Sequence, residues 1–206
     1  MIPDRLVLAT ANPGKITELR GLVGEWGAVE TQGLDTLGGV VLPPEGEAGY
    51  AENAIAKARA VALASGLPAL ADDSGLEVDA LGGAPGVLSA RLAATDAERI
   101  ATLLARLANT RDRRARFRCV VAIAWPDDRV ETAEGTCAGH IVEAPVGRGG
   151  FGYDPIFRAD ELGHTFAEAT AAEKARVSHR ARAVHALGRR LASGGPAALR
   201  HPRGTC

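Results

Sequence analysis

The chain of 206 residues is 46% hydrophobic, 24% charged and only 4% aromatic, the proportions of a globular protein long enough to bury a sizeable core. Its 24 Lys+Arg against 25 Asp+Glu leave a formal charge of −1, which excludes a broad polyanion-binding surface for nucleic acid or anionic membrane, so any anion site has to be local. No apolar run approaches the ~20 residues of a membrane-spanning helix, and Met1-Ile2-Pro3-Asp4-Arg5 lacks the basic and then apolar pattern of a secretory signal, so the expected location is cytoplasmic.

Leu6 to Ala9 is a short apolar run that ends in Thr10-Ala11-Asn12-Pro13-Gly14-Lys15, after which Ile16, Leu19, Leu22 and Val23 recur at helical spacing: strand, polar loop, helix. Leu37 to Pro44 reads as a connection, and Glu45-Gly46-Glu47 leads into a helix from about Tyr50 to Ala64, closed by Gly66 and Pro68. Asn53 and Lys57 lie one turn apart on it and share a face. Ala69-Leu70-Ala71 reads as a buried strand interrupted by Asp72-Asp73-Ser74-Gly75. Leu76, Val78 and Ala80 then alternate with Glu77 and Asp79 as a half-exposed strand before the Gly82 to Gly86 loop.

Thr95 and Glu98 have capping-box spacing ahead of the stripe Ile100, Leu103, Leu104 and Leu107, a helix ending at Asn109. Phe117 to Trp125 is the strongest strand pattern, and Pro126-Asp127-Asp128 turns it into a second strand from Val130 to Ile141, a long hairpin. Thr170 and Glu173 repeat the capping-box spacing at the head of a helical stretch reaching Leu191, in which Ser178 is placed to act as a second N-cap. The pattern predicts an α/β fold with a mixed sheet and flanking helices, one domain over residues 1–193, and a loosely held tail over 194–206. Cys119, Cys137 and Cys206 are widely spaced and read as reduced thiols.

Several segments carry candidate chemistry. The Thr10 to Lys15 loop offers backbone N–H groups, a helix N-terminus and an ammonium to phosphate, although Ala9 and Ile16 break the P-loop pattern; an ordinary turn with a solvated lysine fits it equally. Adjacent carboxylates at Asp72 and Asp73 repel one another and call for a compensating cation. Strand alternation sends them to opposite faces, and Asp73 is the one expected to face a cleft; a plain acidic turn is the alternative. Magnesium is the expected ion, with Glu45 and Glu47 as further acidic candidates.

In Gly149-Gly150-Phe151-Gly152-Tyr153-Asp154-Pro155 the glycines permit close approach to a flat ligand, a ring can stack on a base and Asp154 can accept hydrogen bonds; a tight hairpin end explains much of the same pattern. Ser178-His179-Arg180 offers a cationic grip or, more plainly, a solvated basic face. The arginines from Arg111 to Arg118 read as surface charge. Of the 24 cations 21 are arginine, and the three lysines, Lys15, Lys57 and Lys174, all fall in segments singled out on other grounds.

These motifs, in this order from Leu6 to about Leu191, resemble the inosine triphosphate pyrophosphatase family, also called HAM1-like or RdgB-like proteins. The resemblance rests on Thr10 to Lys15, Glu52-Asn53-Ala54 with Lys57, Ala71 to Leu76, Gly83-Ala84-Pro85-Gly86 with Ser89-Ala90-Arg91, Gly150 to Pro155, and Ser178-His179-Arg180. It implies two lobes around a central nucleotide-binding cleft and a homodimer. It also implies a Mg2+-dependent activity that converts ITP, dITP and XTP to the monophosphate and pyrophosphate.

On the matching positions, the resemblance makes Asp73 the proton acceptor and a metal ligand and Glu45 the second metal carboxylate; in the mechanism that fits both readings, Lys57, with Lys15 and Lys174, is a catalytic cation that stabilises charge on the leaving pyrophosphate. Thr10, Ala11, Asn12, Pro13, Gly14 and Lys15 would hold phosphates. Ser74, Phe151, Gly152, Tyr153, Asp154, Lys174, His179 and Arg180 would complete the substrate site. Gly46-Glu47-Ala48-Gly49 departs from the family pattern, which has Thr-Gly and a hydroxyl-aromatic pair there. A Maf-like pyrophosphatase of pyrimidine or modified nucleotides and a non-catalytic nucleotide sensor are the alternatives.

Overall fold

The computed structural model describes residues 1–194, so the tail expected beyond them, with Cys206, lies outside the described residues. A six-stranded mixed sheet has the order β2-β1-β3-β4-β5-β6. Strand β1 (Arg5–Leu8) pairs in parallel with β2 (Glu30–Gln32) and β3 (Ala69–Val78); β4 (Arg114–Ala124), β5 (Val130–Ile141) and β6 (Phe157–Ala159) continue antiparallel. Five α-helices flank it: α1 (Pro13–Gly24), α2 (Tyr50–Ser65), α3 (Asp96–Arg106), α4 (Ala171–Val177) and α5 (His179–Ala192). Among the described residues no helix is long and apolar enough to cross a membrane.

The capping signals act where the sequence puts them. Thr95 and Thr170 each close a reciprocal capping box, with Glu98 and Glu173, and the Ser178 side chain accepts from the Ala181 N–H, dividing α4 from α5. Helix α1 starts earlier than its apolar spacing indicates. Asn12 caps it through the Lys15 N–H and Pro13 occupies its first turn, where a missing N–H costs nothing, so most of the predicted polar loop is helix N-terminus. Helix α3 is capped at Leu107, short of Asn109, and β4 begins already at Arg114.

The largest departure is β3. Residues 72–75 do not interrupt it: Asp72, Asp73, Ser74 and Gly75 stay in register with Val121, Val120, Cys119 and Arg118 of β4. Nor is its second half exposed, since Leu76 and Val78 are fully buried and Glu77 nearly so, while Asp79 and Ala80 belong to a 3-10 turn.

What these four residues interrupt is the core. Leu70 packs with Leu19, Val184 and Leu187 under α1 and α5, Ala69 and Ala71 pack with Ala58 and Val61 of α2, and Leu76 and Val78 belong to a separate cluster with Ile100, Phe117 and Phe157. Asp72 to Gly75 therefore form a polar seam between apolar clusters that share the same strands, and the cleft opens at that seam.

Candidate active site

A cavity of about 300 Å³ at the seam is lined by Thr10, Ala11, Asn12, Lys15, Glu45, Lys57, Asp73, Ser74, Phe151, Gly152, Tyr153, Asp154, Lys174, His179 and Arg180. All predicted site residues except Pro13 and Gly14 thus meet in one place, and all three lysines are among them. Gly14 instead lines a neighbouring groove of about 690 Å³ between α1 and α4, and Phe151 stands between the two spaces. A Cβ at Gly14 would lie 2.5 Å from the Phe151 ring, so glycine is what allows that ring onto the start of α1.

Alternation along β3 separates the two aspartates. Asp72 takes the face under α1 and α5. It is fully buried and its Oδ2 meets Lys15 Nζ at 3.1 Å and Arg180 Nη2 at 3.0 Å, with the Ser74 hydroxyl donating to it at 3.3 Å. Burial alone would raise the Asp72 carboxyl; the Lys15 ammonium and the Arg180 guanidinium, with Lys57, reverse that and hold it far below the usual carboxylate range. Arg180 also pairs with Glu18, whose other oxygen lies 2.7 Å from Lys174 Nζ, and Lys174 reaches Asp154 at 2.5 Å. The compensating cations for this face come from the chain itself.

Asp73 takes the other face, beneath α2. Its Oδ2 accepts from Asn53 Nδ2 at 2.8 Å and its Oδ1 from the Ser74 N–H at 2.9 Å. Burial pushes its carboxyl above the usual value. The Lys57 ammonium and the Asn53 hydrogen bond offset part of that, and the Glu45 charge adds to it. Lys57 donates to Glu45 Oε1 at 2.5 Å and to the Asp72 carbonyl at 2.8 Å. Burial works to raise Glu45 also, but the bond and charge of Lys57 outweigh it and leave Glu45 lowered. Glu47 is exposed and stands away from the cavity.

The donor set available to a cation here is all oxygen. Glu45 and Asp73 line one cavity, and each keeps acceptor capacity beyond the bonds just described. Among the described residues no group of three or more His, Cys, Asp or Glu is placed to hold an ion. Two carboxylates completed by substrate phosphate oxygens is an arrangement magnesium commonly takes, so these residues fit the ion that the sequence implies.

The Phe151 to Asp154 segment is a turn leading into a 3-10 helix, rather than a hairpin end. The Asp154 carboxylate accepts from the Phe151 N–H at 2.9 Å and pairs with Lys174, and burial raises it against that cation. The Tyr153 hydroxyl donates to the Ser89 carbonyl at 2.9 Å, and burial pushes it up to about 12. Lys174 Nζ lies 4.8 Å from the Phe151 ring centre.

Ser178-His179-Arg180 is no solvated face, for all three residues are buried. The His179 ring stacks on Phe117 at 4.6 Å. Burial and the charges of Arg180 and Lys174 hold it well below its ordinary value, and its Nδ1 has no partner. The arginines before and within β4 do read as surface charge: Arg114 pairs with Asp112 and Arg118 with Glu134. Cys119 and Cys137 are free and buried.

Sequence reasoning gives no site role to Glu18, Ser89, Asp96, Arg99 or Phe117, although Ser89 stands in a motif of the resemblance. For Glu18 a local signal existed, since it stands one turn after Lys15 on the same helix. Asp96 accepts the Gly152 N–H at 2.7 Å across 56 residues, which no local pattern encodes.

A mixed sheet whose polar seam brings lysines, paired carboxylates and an aromatic loop into one cleft defines an α/β protein whose cleft has the chemistry to suit a phosphorylated aromatic ligand. The Ham1 family model matches residues 6–190, and the chain belongs to that family. It is 50% identical to a dITP/XTP pyrophosphatase from Thermus thermophilus, over 89% of both chains, and 50% identical to one from Gloeobacter violaceus, over 88% of this chain and 91% of that one. The solved structure of a HAM1 protein from Coxiella burnetii superposes with a TM-score of 0.81 at 40% identity, over 92% of this chain and 98% of that one.

Proposed function

We propose that the protein hydrolyses non-standard purine nucleoside triphosphates, ITP, dITP and XTP, to the monophosphate and pyrophosphate. The observation that carries this reading is the meeting of Lys15, Lys57 and Lys174 with the Glu45 and Asp73 carboxylates in one cavity beside Phe151 and His179. The names of the relatives, dITP/XTP pyrophosphatase, support dITP and XTP among these.

In this reading the N-terminal turn of α1 and Lys15 receive the phosphates. Asp73, held above the usual carboxylate range, accepts a proton from the attacking water as its oxygen bonds to the α-phosphorus; the bond to the β-phosphate bridging oxygen breaks and pyrophosphate leaves. Lys57 and Lys174 stabilise charge on the departing group. Glu45 and Asp73 would hold Mg2+, which supplies neutralisation of phosphate oxygens when bound.

His179 is neutral near pH 7 and has an unpartnered ring nitrogen, so it suits a neutral polar edge of a base better than an anion. A donor at that position rewards a 6-oxo group and leaves a 6-amino group unpaired. The reading places the protein in the cytoplasm, acting on the free nucleotide pool, and carries with it the homodimer implied by the family likeness, which sedimentation of the purified chain tests.

The decisive experiment is a pyrophosphate-release panel over ITP, XTP, dITP, GTP, ATP and dTTP with and without Mg2+. The expected result is Mg2+-dependent turnover of the first three at least about 100-fold above GTP and ATP, the range that buried polar groups left unpaired can supply. Equal turnover of all purines overturns the substrate assignment; dTTP ahead of dITP selects the Maf-like alternative, and tight ITP binding without pyrophosphate selects the sensor.

A further inference from the structure

Two motifs have no role so far beyond the Asn53 bond to Asp73: Glu52-Asn53-Ala54 and Ser89-Ala90-Arg91. They converge on a single peptide. Arg91 Nη1 donates to the Glu45 carbonyl at 3.0 Å and Nη2 to the Gly46 carbonyl at 2.9 Å, so the guanidinium fork spans two successive carbonyls. Asn53 holds both sides of Gly46, whose N–H donates to Asn53 Oδ1 at 2.8 Å while Asn53 Nδ2 donates back to the Gly46 carbonyl at 3.1 Å. The same Nδ2 donates to Asp73.

Glu45 needs this support. Residues 40–48 carry no helix or strand, and among the described residues no backbone-to-backbone hydrogen bond ties them to the rest of the chain. This is also the stretch where the chain has Gly46-Glu47-Ala48-Gly49, three of them without a polar side chain to anchor it. Lys57 holds the Glu45 carboxylate, but an untethered backbone would still lose ordering entropy each time that carboxylate engages a cation, and a clamp on its own peptide removes that cost in advance.

We propose that Asn53 and Arg91 are positioning residues that hold Glu45 opposite Asp73 and thereby set the affinity of the carboxylate pair for a divalent cation. This rests on the pyrophosphohydrolase reading above. Arg91 acts from the Gly86–Arg91 3-10 turn, which packs on β3, and Asn53 acts from α2, so the loop is held from two elements at once.

The test is titration of Mn2+ into the full-length protein without nucleotide, with free Mn2+ read by electron paramagnetic resonance, on wild type, Arg91→Ala, Arg91→Lys and Asn53→Ala. Glu45→Gln serves as the baseline for a lost site. Loss of groups that orient ligands costs about 10–100-fold in metal affinity. Arg91→Ala is therefore expected to weaken Mn2+ by about 10-fold. Arg91→Lys, which keeps the charge but cannot span two carbonyls, should weaken it nearly as much. Half-saturating Mg2+ for pyrophosphate release rises in parallel, and excess Mg2+ returns kcat to within about two-fold of wild type.

Wild-type Mn2+ affinity in a folded Arg91→Ala protein overturns the proposal, as does a kcat loss that no Mg2+ concentration restores. If Asn53→Ala does not fold, the two Arg91 variants decide. Failure of the functional reading is separate: wild type that binds Mn2+ yet releases no pyrophosphate from dITP overturns that reading, whereas normal wild-type turnover with unaltered Mn2+ binding in the Arg91 variants overturns the clamp alone.

Discussion

The two faces of β3 at residues 72 and 73 carry the same side chain one position apart and treat it in opposite ways. On the α1–α5 face the charges form a continuous chain, Lys15 to Asp72 to Arg180 to Glu18 to Lys174 to Asp154, and Asp72 is held far below its ordinary range. On the α2 face Asp73 has an amide and a backbone N–H as its hydrogen-bond donors, with the Glu45 charge near, and its carboxyl is raised. A carboxylate whose charge is matched by buried cations is scaffold, even with its Oδ1 left without a hydrogen-bond partner; one whose carboxyl is raised is free to take a proton or a cation.

The sharpest way to break that contrast is to remove each charge in turn. Asp73→Asn should lower kcat for dITP by about 1000-fold, within the range for loss of a general base, while the midpoint of thermal unfolding holds or rises. Unchanged kcat would end the assignment. Asp72→Asn removes the buried carboxylate that Lys15 and Arg180 share, leaving Arg180 with Glu18 alone as its anion, and should cost about 3 kcal/mol of unfolding free energy, measured by urea titration. If Asp72→Asn instead leaves stability intact, the ion-pair chain is no scaffold.

The titration behaviour of the pair separates them further. A carboxyl depressed in the folded state contributes stability above its unfolded pKa and loses it as pH falls through the folded value. A raised one has the reverse sign, so that ionising Asp73 costs stability at neutral pH. In EDTA, the Asp72→Asn penalty and any Asp73→Asn gain should therefore both shrink as pH is lowered from 7 to 3, from opposite sides of zero; urea titrations at the two pH values give both differences.

A smaller effect belongs to Tyr153→Phe, which leaves the buried Ser89 carbonyl without its donor. About 1 kcal/mol of stability should be lost with kcat within about two-fold, since the hydroxyl ties the aromatic loop to the far side of the seam without entering the chemistry.

Local signals carried much of the fold. Apolar spacing and caps placed α2, α3, the β4–β5 hairpin and the break at Ser178, because each is decided within one turn or one strand length. Strands β2 and β6 passed unseen, being three residues each and fixed by the strands they border. Continuity of β3 was illegible because polar residues ordinarily end a buried strand; here their cations come from α1 and α5, and the ladder to β4 holds the backbone regardless. The buried His179-Arg180 step was hidden by arginine-rich surroundings, where one more basic pair looks like surface. The site residues were legible as motifs, but the division of labour between Asp72 and Asp73 was only half visible: alternation separated them, and the Arg180 and Lys15 contacts that settle their roles span most of the chain.

The placement of the lysines has a consequence for labelling. The chain has three lysines among its 24 cations, and all three border the cleft. A reagent that acylates primary amines and spares guanidinium groups therefore has, apart from the amino terminus, no target outside the cleft. Lys57 and Lys174 are buried in ion pairs, so Lys15, the most exposed of the three, takes the reagent first, and a bound ligand would register as protection of Lys15 in a peptide map.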